Sequence, residues 1–186
     1  MKRILDIILA IILLFILCVP MLIVSLLVKL SSSGPILYWS KRVGKNSKSF
    51  LMPKFRTMAV GTPTIATHML LDASSHLTPI GSFLRKCSLD ELPQLWCILN
   101  GSMSFIGPRP ALFNQDDLIG LRIKYGVDKL RPGITGWAQV NGRDHLSIEE
   151  KVKFDTDYLK EASLGMDLKI YWLTLIKVLS QDGVSH

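Results

Sequence analysis

From Ile4 to Val28 the chain is almost continuously apolar, interrupted only by Asp6, Pro20 and Ser25. An unbroken helix of that length, rising about 1.5 Å per residue, reaches across a hydrocarbon core of about 30 Å. The run is too long for the apolar part of a secretory leader, and no small-x-small cleavage pattern follows it. Pro20 constrains it further. Its ring meets the carbonyl of Ile16 and it has no N–H to donate there, so the helix is expected to kink or break near Val19. Two arrangements stay open on the residues alone: a kinked single span, or a re-entrant hairpin that enters one leaflet and returns. Lys2 and Arg3 precede the segment, while Lys29, Lys41, Arg42, Lys45 and Lys48 follow it. Cytoplasmic enrichment of Lys and Arg would put both ends on the same side.

The 186 residues suit one domain plus an attachment, divided as a membrane-embedded segment 1–30 and a domain 31–186. Net charge is +7, yet only 20% of residues are charged and 48% are hydrophobic. That balance suits an anionic membrane surface or phosphate-bearing ligands. No zinc-finger spacing, RNP motif or arginine-rich run points to nucleic acid. Cys18, Cys87 and Cys97 lack C-x-x-C spacing and read as reduced thiols.

Ser31 to Pro35 reads as a turn, Ile36–Ser40 as a strand, Lys41–Asn46 as a basic turn and Phe50–Met58 as a second extended run, which together predict a hairpin. Lys54 and Arg56 alternate with Phe55 and are expected on one strand face. Residues 59–79 read as loops around a short helix Ile65–Leu71, and neither His68 nor His76 has a sequence neighbour that would make it a catalytic base. Ile80–Lys86 predicts a short amphipathic helix. Leu92, Leu95, Trp96 and Leu99 form an apolar stripe, ending at Asn100-Gly101, that suits either the core or a membrane interface. Gln115–Gly126 predicts a polar helix, and Asn141-Gly142 predicts a tight hairpin turn. Ser147 to Glu150 carries good capping chemistry for a helix to about Lys160. Asp155 and Asp157 on it read as a solvated face or as contributors to a metal site. A last helix, Asp167–Leu179, shows Leu168, Trp172, Leu175, Ile176 and Leu179 on one side, for the membrane interface or the core.

The chemistry centres on Arg85-Lys86-Cys87-Ser88-Leu89-Asp90-Glu91-Leu92-Pro93-Gln94. Ser88 and Glu91 fit the S-x-x-E capping box, and Pro93 is tolerable if it lies in the first helical turn. Asp90 and Glu91 then sit at a helix N-terminus, which favours their ionised forms. An oriented Asp can attack phosphorus, and a neighbouring Glu can act as base or metal ligand. A capped helix start explains the same residues more plainly. In Pro108-Arg109-Pro110, two prolines stiffen the chain that presents a guanidinium suited to phosphate.

Lys54 to Met58, Ser88 to Gln94, Gly107 to Pro110 and Arg131 to Trp137, in this order, closely resemble the small monotopic phosphoglycosyl transferases, the bacterial sugar transferases. The resemblance runs from the apolar N-terminus to about Leu179. It implies an α/β fold: a mostly helical small domain with a short β-hairpin, a re-entrant membrane helix and interfacial helices. It also implies transfer of a sugar 1-phosphate from a UDP-sugar to polyprenol (undecaprenyl) phosphate at the cytoplasmic face of a bacterial inner membrane, with release of UMP. Asp90 would be the nucleophile of a covalent phospho-aspartyl intermediate and Glu91 a base or metal partner, with Mg²⁺ on this pair. Arg42, Lys54, Arg56, Arg85, Arg109, Pro110, Arg131 and Arg143 would handle phosphates or nucleotide. Membrane lipids are implied partners, and the oligomeric state stays open, a homo-oligomer included. Two rival classes are a membrane-anchored module that binds anionic lipid or nucleotide without chemistry, and a structural partner in a glycan-assembly complex. The first predicts that Asp90→Asn is harmless, the second that no nucleotide sugar turns over.

Overall fold

The computed structural model describes residues 1–63 and 74–180, so the expected helix Ile65–Leu71 lies outside the described residues. It is mostly helical with two small sheets. Helix α1 (Lys2–Ser31) is long and apolar enough to cross a membrane. It continues through Pro20 rather than breaking there. The proline removes one backbone bond and costs about 3 kcal/mol. Packing on both sides of it opposes that cost. Leu9, Ala10, Leu13, Leu14 and Leu17 join a core with Met52, Leu95, Ile98, Met103, Phe105 and Ile170, and Met21, Val24 and Val28 join a second with Phe55 and Leu84. These positions recur at spacings of three and four, so one stripe of α1 is docked while Phe15, Ile16, Val19 and Leu22 are exposed.

Polar contacts fix the start of α1. Lys2 Nζ donates to Asp167 at 2.8 Å and Tyr158 at 2.6 Å, and Asp6 accepts from Ser104 Oγ at 2.8 Å. Arg3 donates to the carbonyls of Ile98 and Leu99. Asp167 lies in the first turn of the last helix, where it was expected to open it, and is also a buried counter-charge.

Strands β1 (Leu37–Val43) and β2 (Ser49–Phe55) form the expected hairpin. Helix α2 (Gly81–Lys86) leads to a 3-10 segment, Leu89–Gln94, and then to α3 (Leu95–Leu99), where one longer helix was expected. Pro93 lies late in the 3-10 segment, just ahead of α3. Strand β3 (Ser104–Ile106) is followed by β4 (Ala111–Leu112), which pairs with β1. Then come α4 (Asp116–Lys124), β5 (Gly133–Thr135) parallel to β3, α5 (Trp137–Val140), α6 (Ile148–Glu161) and α7 (Leu164–Ser180). The Asn141-Gly142 turn does not join strands. It ends α5 and leads into a 3-10 turn, Arg143–His145, because α5 consumes the residues that a first hairpin strand would need. Trp96, Leu168, Trp172 and Leu175 are exposed, as an interfacial reading requires.

Candidate active site

The hairpin register builds one wall. Arg42, Ser40 and Tyr38 alternate along β1 and face the same side as Lys54, which lies opposite Tyr38 on β2. The 3-10 segment supplies the other wall. Ser88 adopts φ +53°, a left-handed conformation that turns the chain sharply between α2 and the acidic pair. It makes no capping bond, so the expected capping box is absent at this site. Glu91 is engaged elsewhere: its Oε1 accepts from Lys54 Nζ at 2.7 Å and Arg109 Nη2 at 2.9 Å. Two charge-assisted bonds outweigh one reciprocal bond to the backbone.

The neighbouring carboxylates therefore differ. Burial pushes Glu91 up, but Arg109 and Lys54 together hold it well below the usual carboxylate range. Burial raises Asp90 above its ordinary value, with Lys54 opposing and the charge of Glu91 reinforcing the rise. Asp90 Oδ2 stands 4.0 Å from Lys54 Nζ, beyond hydrogen-bond distance. Arg85, in the last turn of α2, also draws Asp90 downward through its charge. Burial, and then the like charge of Arg109, lower the Arg42 guanidinium to about 10. Two cations crowded beside an acidic pair form a place for an anion.

The loop that carries Arg109 is held at three successive carbonyls. Gly133 N–H donates to Pro108 O at 2.9 Å, Arg122 Nη1 to Arg109 O at 2.8 Å and Arg42 Nη1 to Pro110 O at 3.2 Å. Gly107, Gly133 and Gly136 let the two backbones meet here; a Cβ on Gly133 or Gly136 would collide with the backbone of Gly107. The Arg131–Trp137 motif thus supports the Arg109 loop through its backbone.

Of the residues expected at the site, the structure brings together Asp90, Glu91, Lys54 and Arg109 by contact, Arg42 and Arg85 by charge, and Pro110 by its carbonyl. Arg56 is separated from them. β2 ends at Phe55, and the buried Arg56 donates to Pro35 O at 2.7 Å, Ser32 Oγ at 2.8 Å and Ser32 O at 2.9 Å, clasping the turn after α1. Lys54 and Arg56 therefore do not act on one face. Arg131 is exposed and donates to Gly101 O, near the end of α3, and Arg143 begins the 3-10 turn after α5. Asp155 is neither solvated nor a member of a metal cluster. It is 1% exposed and paired with Arg122. Among the described residues no group of three His, Cys, Asp or Glu side chains is placed to hold a metal. Tyr38 and Ser40 were missed although strand alternation carried the signal; Arg122 had no signal, since a basic residue late in a helix is ordinary.

The chain matches the family model described as bacterial sugar transferase over residues 1–181. It is 39% identical over 184 residues to a UDP-glucose:undecaprenyl-phosphate glucose-1-phosphate transferase of Escherichia coli, covering 95% of this chain and 40% of that one. It is also 39% identical to the uncharacterized sugar transferase EpsL of Bacillus subtilis, covering 100% of this chain and 91% of the relative. A UDP-N-acetylgalactosamine-undecaprenyl-phosphate N-acetylgalactosaminephosphotransferase of Aeromonas hydrophila is 35% identical, with 98% of this chain and 44% of that one covered. The chain thus spans about two fifths of the first relative's length. With the motifs in order, the acidic pair set among cations and the family model matched over residues 1–181, the chain belongs to the bacterial sugar transferases.

Proposed function

We propose that the protein transfers a sugar 1-phosphate from a UDP-sugar to polyprenyl phosphate, releasing UMP, as a membrane step in making a surface glycan. The observation that carries this is the division of labour in the acidic pair: Glu91 is committed to Lys54 and Arg109, whereas Asp90 stands 4.0 Å from Lys54. The names of the relatives supply the substrate classes. A carboxylate oxygen of Asp90 attacks the sugar-bearing phosphorus, the P–O bond to UMP breaks, and a phospho-aspartyl sugar forms. An oxygen of polyprenyl phosphate then attacks that phosphorus and displaces the Asp90 carboxylate. Arg109, Lys54, Arg42 and Arg85 orient the phosphates and offset their charge.

Mg²⁺ characteristically takes one or two carboxylates together with substrate phosphates and water. The adjacent carboxylates of Asp90 and Glu91 fit that donor set and would hold the ion, which when bound would offset the charge of the diphosphate. Glu91 Oε1, the oxygen bonded to Lys54 and Arg109, stays with those two cations and keeps Arg109 aimed at the site.

The monotopic reading of α1 draws support from its two docked ends, while the expected re-entrant turn lacks a break to form it, because α1 runs on through Pro20. Lys2, Arg3 and Asp6 dock on the same domain as Val24 and Val28, so the unbroken helix lies along that domain, whereas a full crossing would put its two ends on opposite faces of a hydrocarbon core about 30 Å thick. Both ends would then lie on the cytoplasmic side of the inner membrane. Single cysteines at positions 2 and 31, in a chain without its native cysteines, would both label from that side; labelling from opposite sides contradicts this topology. For the reaction, purified protein in detergent or nanodiscs is given polyprenyl phosphate, Mg²⁺ and a panel of UDP-sugars. UMP release that requires Asp90 is expected, and no UMP with any sugar from folded protein overturns the reading.

A further inference from the structure

Arg122 and Asp155 stand behind the site. Asp155 on α6 is 1% exposed, and its Oδ2 accepts from Arg122 Nε at 3.0 Å and Nη2 at 2.6 Å. The remaining guanidinium nitrogen, Nη1, donates to the carbonyl of Arg109 at 2.8 Å. From Arg109 the path continues through Nη2 to Glu91 at 2.9 Å, and Glu91 accepts from Lys54 at 2.7 Å. Every link is an oriented bond, and the first is a buried pair.

Holding α4 to α6 does not need an ion pair. Leu118, Val152 and Ala111 already form an apolar cluster there, and packed hydrophobic residues commonly serve as well as a buried pair or better. What the pair adds is direction. Asp155 fixes the guanidinium plane so that one N–H points at the carbonyl of the residue whose own side chain holds Glu91. The flanking prolines have no N–H to offer, so the loop depends on its carbonyls for anchorage.

We infer that Arg122 and Asp155 are positioning residues for sugar-phosphate transfer, fixing the backbone from which Arg109 reaches the acidic pair. This rests on the proposed reaction. Misplacement of a catalytic group by about 1 Å can cost about a hundredfold in rate. A lysine at position 122 keeps the charge beside Asp155, but its single nitrogen cannot reproduce the three directed bonds of the guanidinium.

The test is a double-mutant cycle on the full chain in detergent, using Arg122→Lys, Arg109→Lys and both together, with Asp155→Asn as a second entry to the same pair. UMP release is read as kcat and KM, beside the unfolding midpoint. Arg122→Lys is expected to lower kcat about 10- to 100-fold with KM for the UDP-sugar changed less than about threefold. In the Arg109→Lys background the same change should cost less than about threefold. Losses that multiply, or an Arg122→Lys enzyme with full kcat, overturn the inference. If the parent protein releases no UMP, the reaction has failed and the cycle is repeated with inorganic pyrophosphate binding as the readout. There, non-additive loss of affinity sustains the Arg122–Arg109 coupling, whereas independent effects, or no binding by folded parent protein, overturn it as well.

Discussion

Two stretches of this chain carry the same local signature, Ser-x-x-Glu, and fold differently. At Ser147–Glu150 the capping box is complete: Ser147 N–H donates to Glu150 Oε2 at 2.8 Å and Glu150 N–H to Ser147 Oγ at 3.2 Å. At Ser88–Glu91 the serine is left-handed without a capping bond, and the glutamate belongs to Lys54 and Arg109. The bonds at Ser147–Glu150 are exposed, and α6 begins there with nothing stronger competing. Around Glu91 the hairpin and the proline loop bring two cations into a sheltered site, and a cap worth about 1 kcal/mol gives way. At Glu91, tertiary charges have taken over the capping signature.

The largest effect is expected from Asp90→Asn, which should cut turnover about a thousandfold or more. Its unfolding midpoint should hold or rise, because burial already disfavours the Asp90 charge. Glu91→Gln should cost about a hundredfold in kcat/KM and lower the midpoint by leaving Lys54 and Arg109 without their counter-charge. Glu150→Gln should leave turnover within about twofold, since it disturbs only an exposed cap.

Asp90 must be ionised to attack and its carboxyl is raised, so activity should fall on acidification at a pH above that of an ordinary Asp. Lys54 lowers that carboxyl, and Lys54→Gln should therefore move the acid limb of the kcat profile upward. Glu91 carries the opposite sign. Its folded value is depressed, so its stabilisation is present above the unfolded value of 4.5 and is lost as pH falls through the folded one. Acid titration of stability in the parent and in Glu91→Gln should differ in that window. The smallest effects separate the two serines. Ser147→Ala should cost about 1 kcal/mol, whereas Ser88→Gly should be neutral or stabilising by up to about 1 kcal/mol because it relieves a positive φ. A loss of stability in Ser88→Gly would break the comparison.

The sequence made most of the scaffold legible, because periodicity is local. The apolar helix, the hairpin, α4, α6 and α7 all follow from patterns within a dozen residues. Pro20 did not break α1, since packing on both sides opposes the lost bond, and that packing is invisible from the helix alone. Arg56 resembled a strand partner of Lys54 until the strand ended one residue earlier. Asp155 had the spacing of a solvated helix face, but its environment is set by Arg122, 33 residues away. At the site, residue types were readable and pairings were not. Nothing local states that Glu91 belongs to two cations, one from the hairpin and one from the proline loop.

The central claim is that Asp90 is the nucleophile left available beside a committed Glu91. Its most direct test is the intact mass of purified protein mixed with UDP-sugars and Mg²⁺ without lipid acceptor, followed by mapping of the modified peptide. The account predicts a gain of one sugar phosphate on Asp90, matched by UMP released, discharged by polyprenyl phosphate and missing in Asp90→Asn. Normal transfer to polyprenyl phosphate by Asp90→Asn, or an adduct carried by another residue, would contradict it.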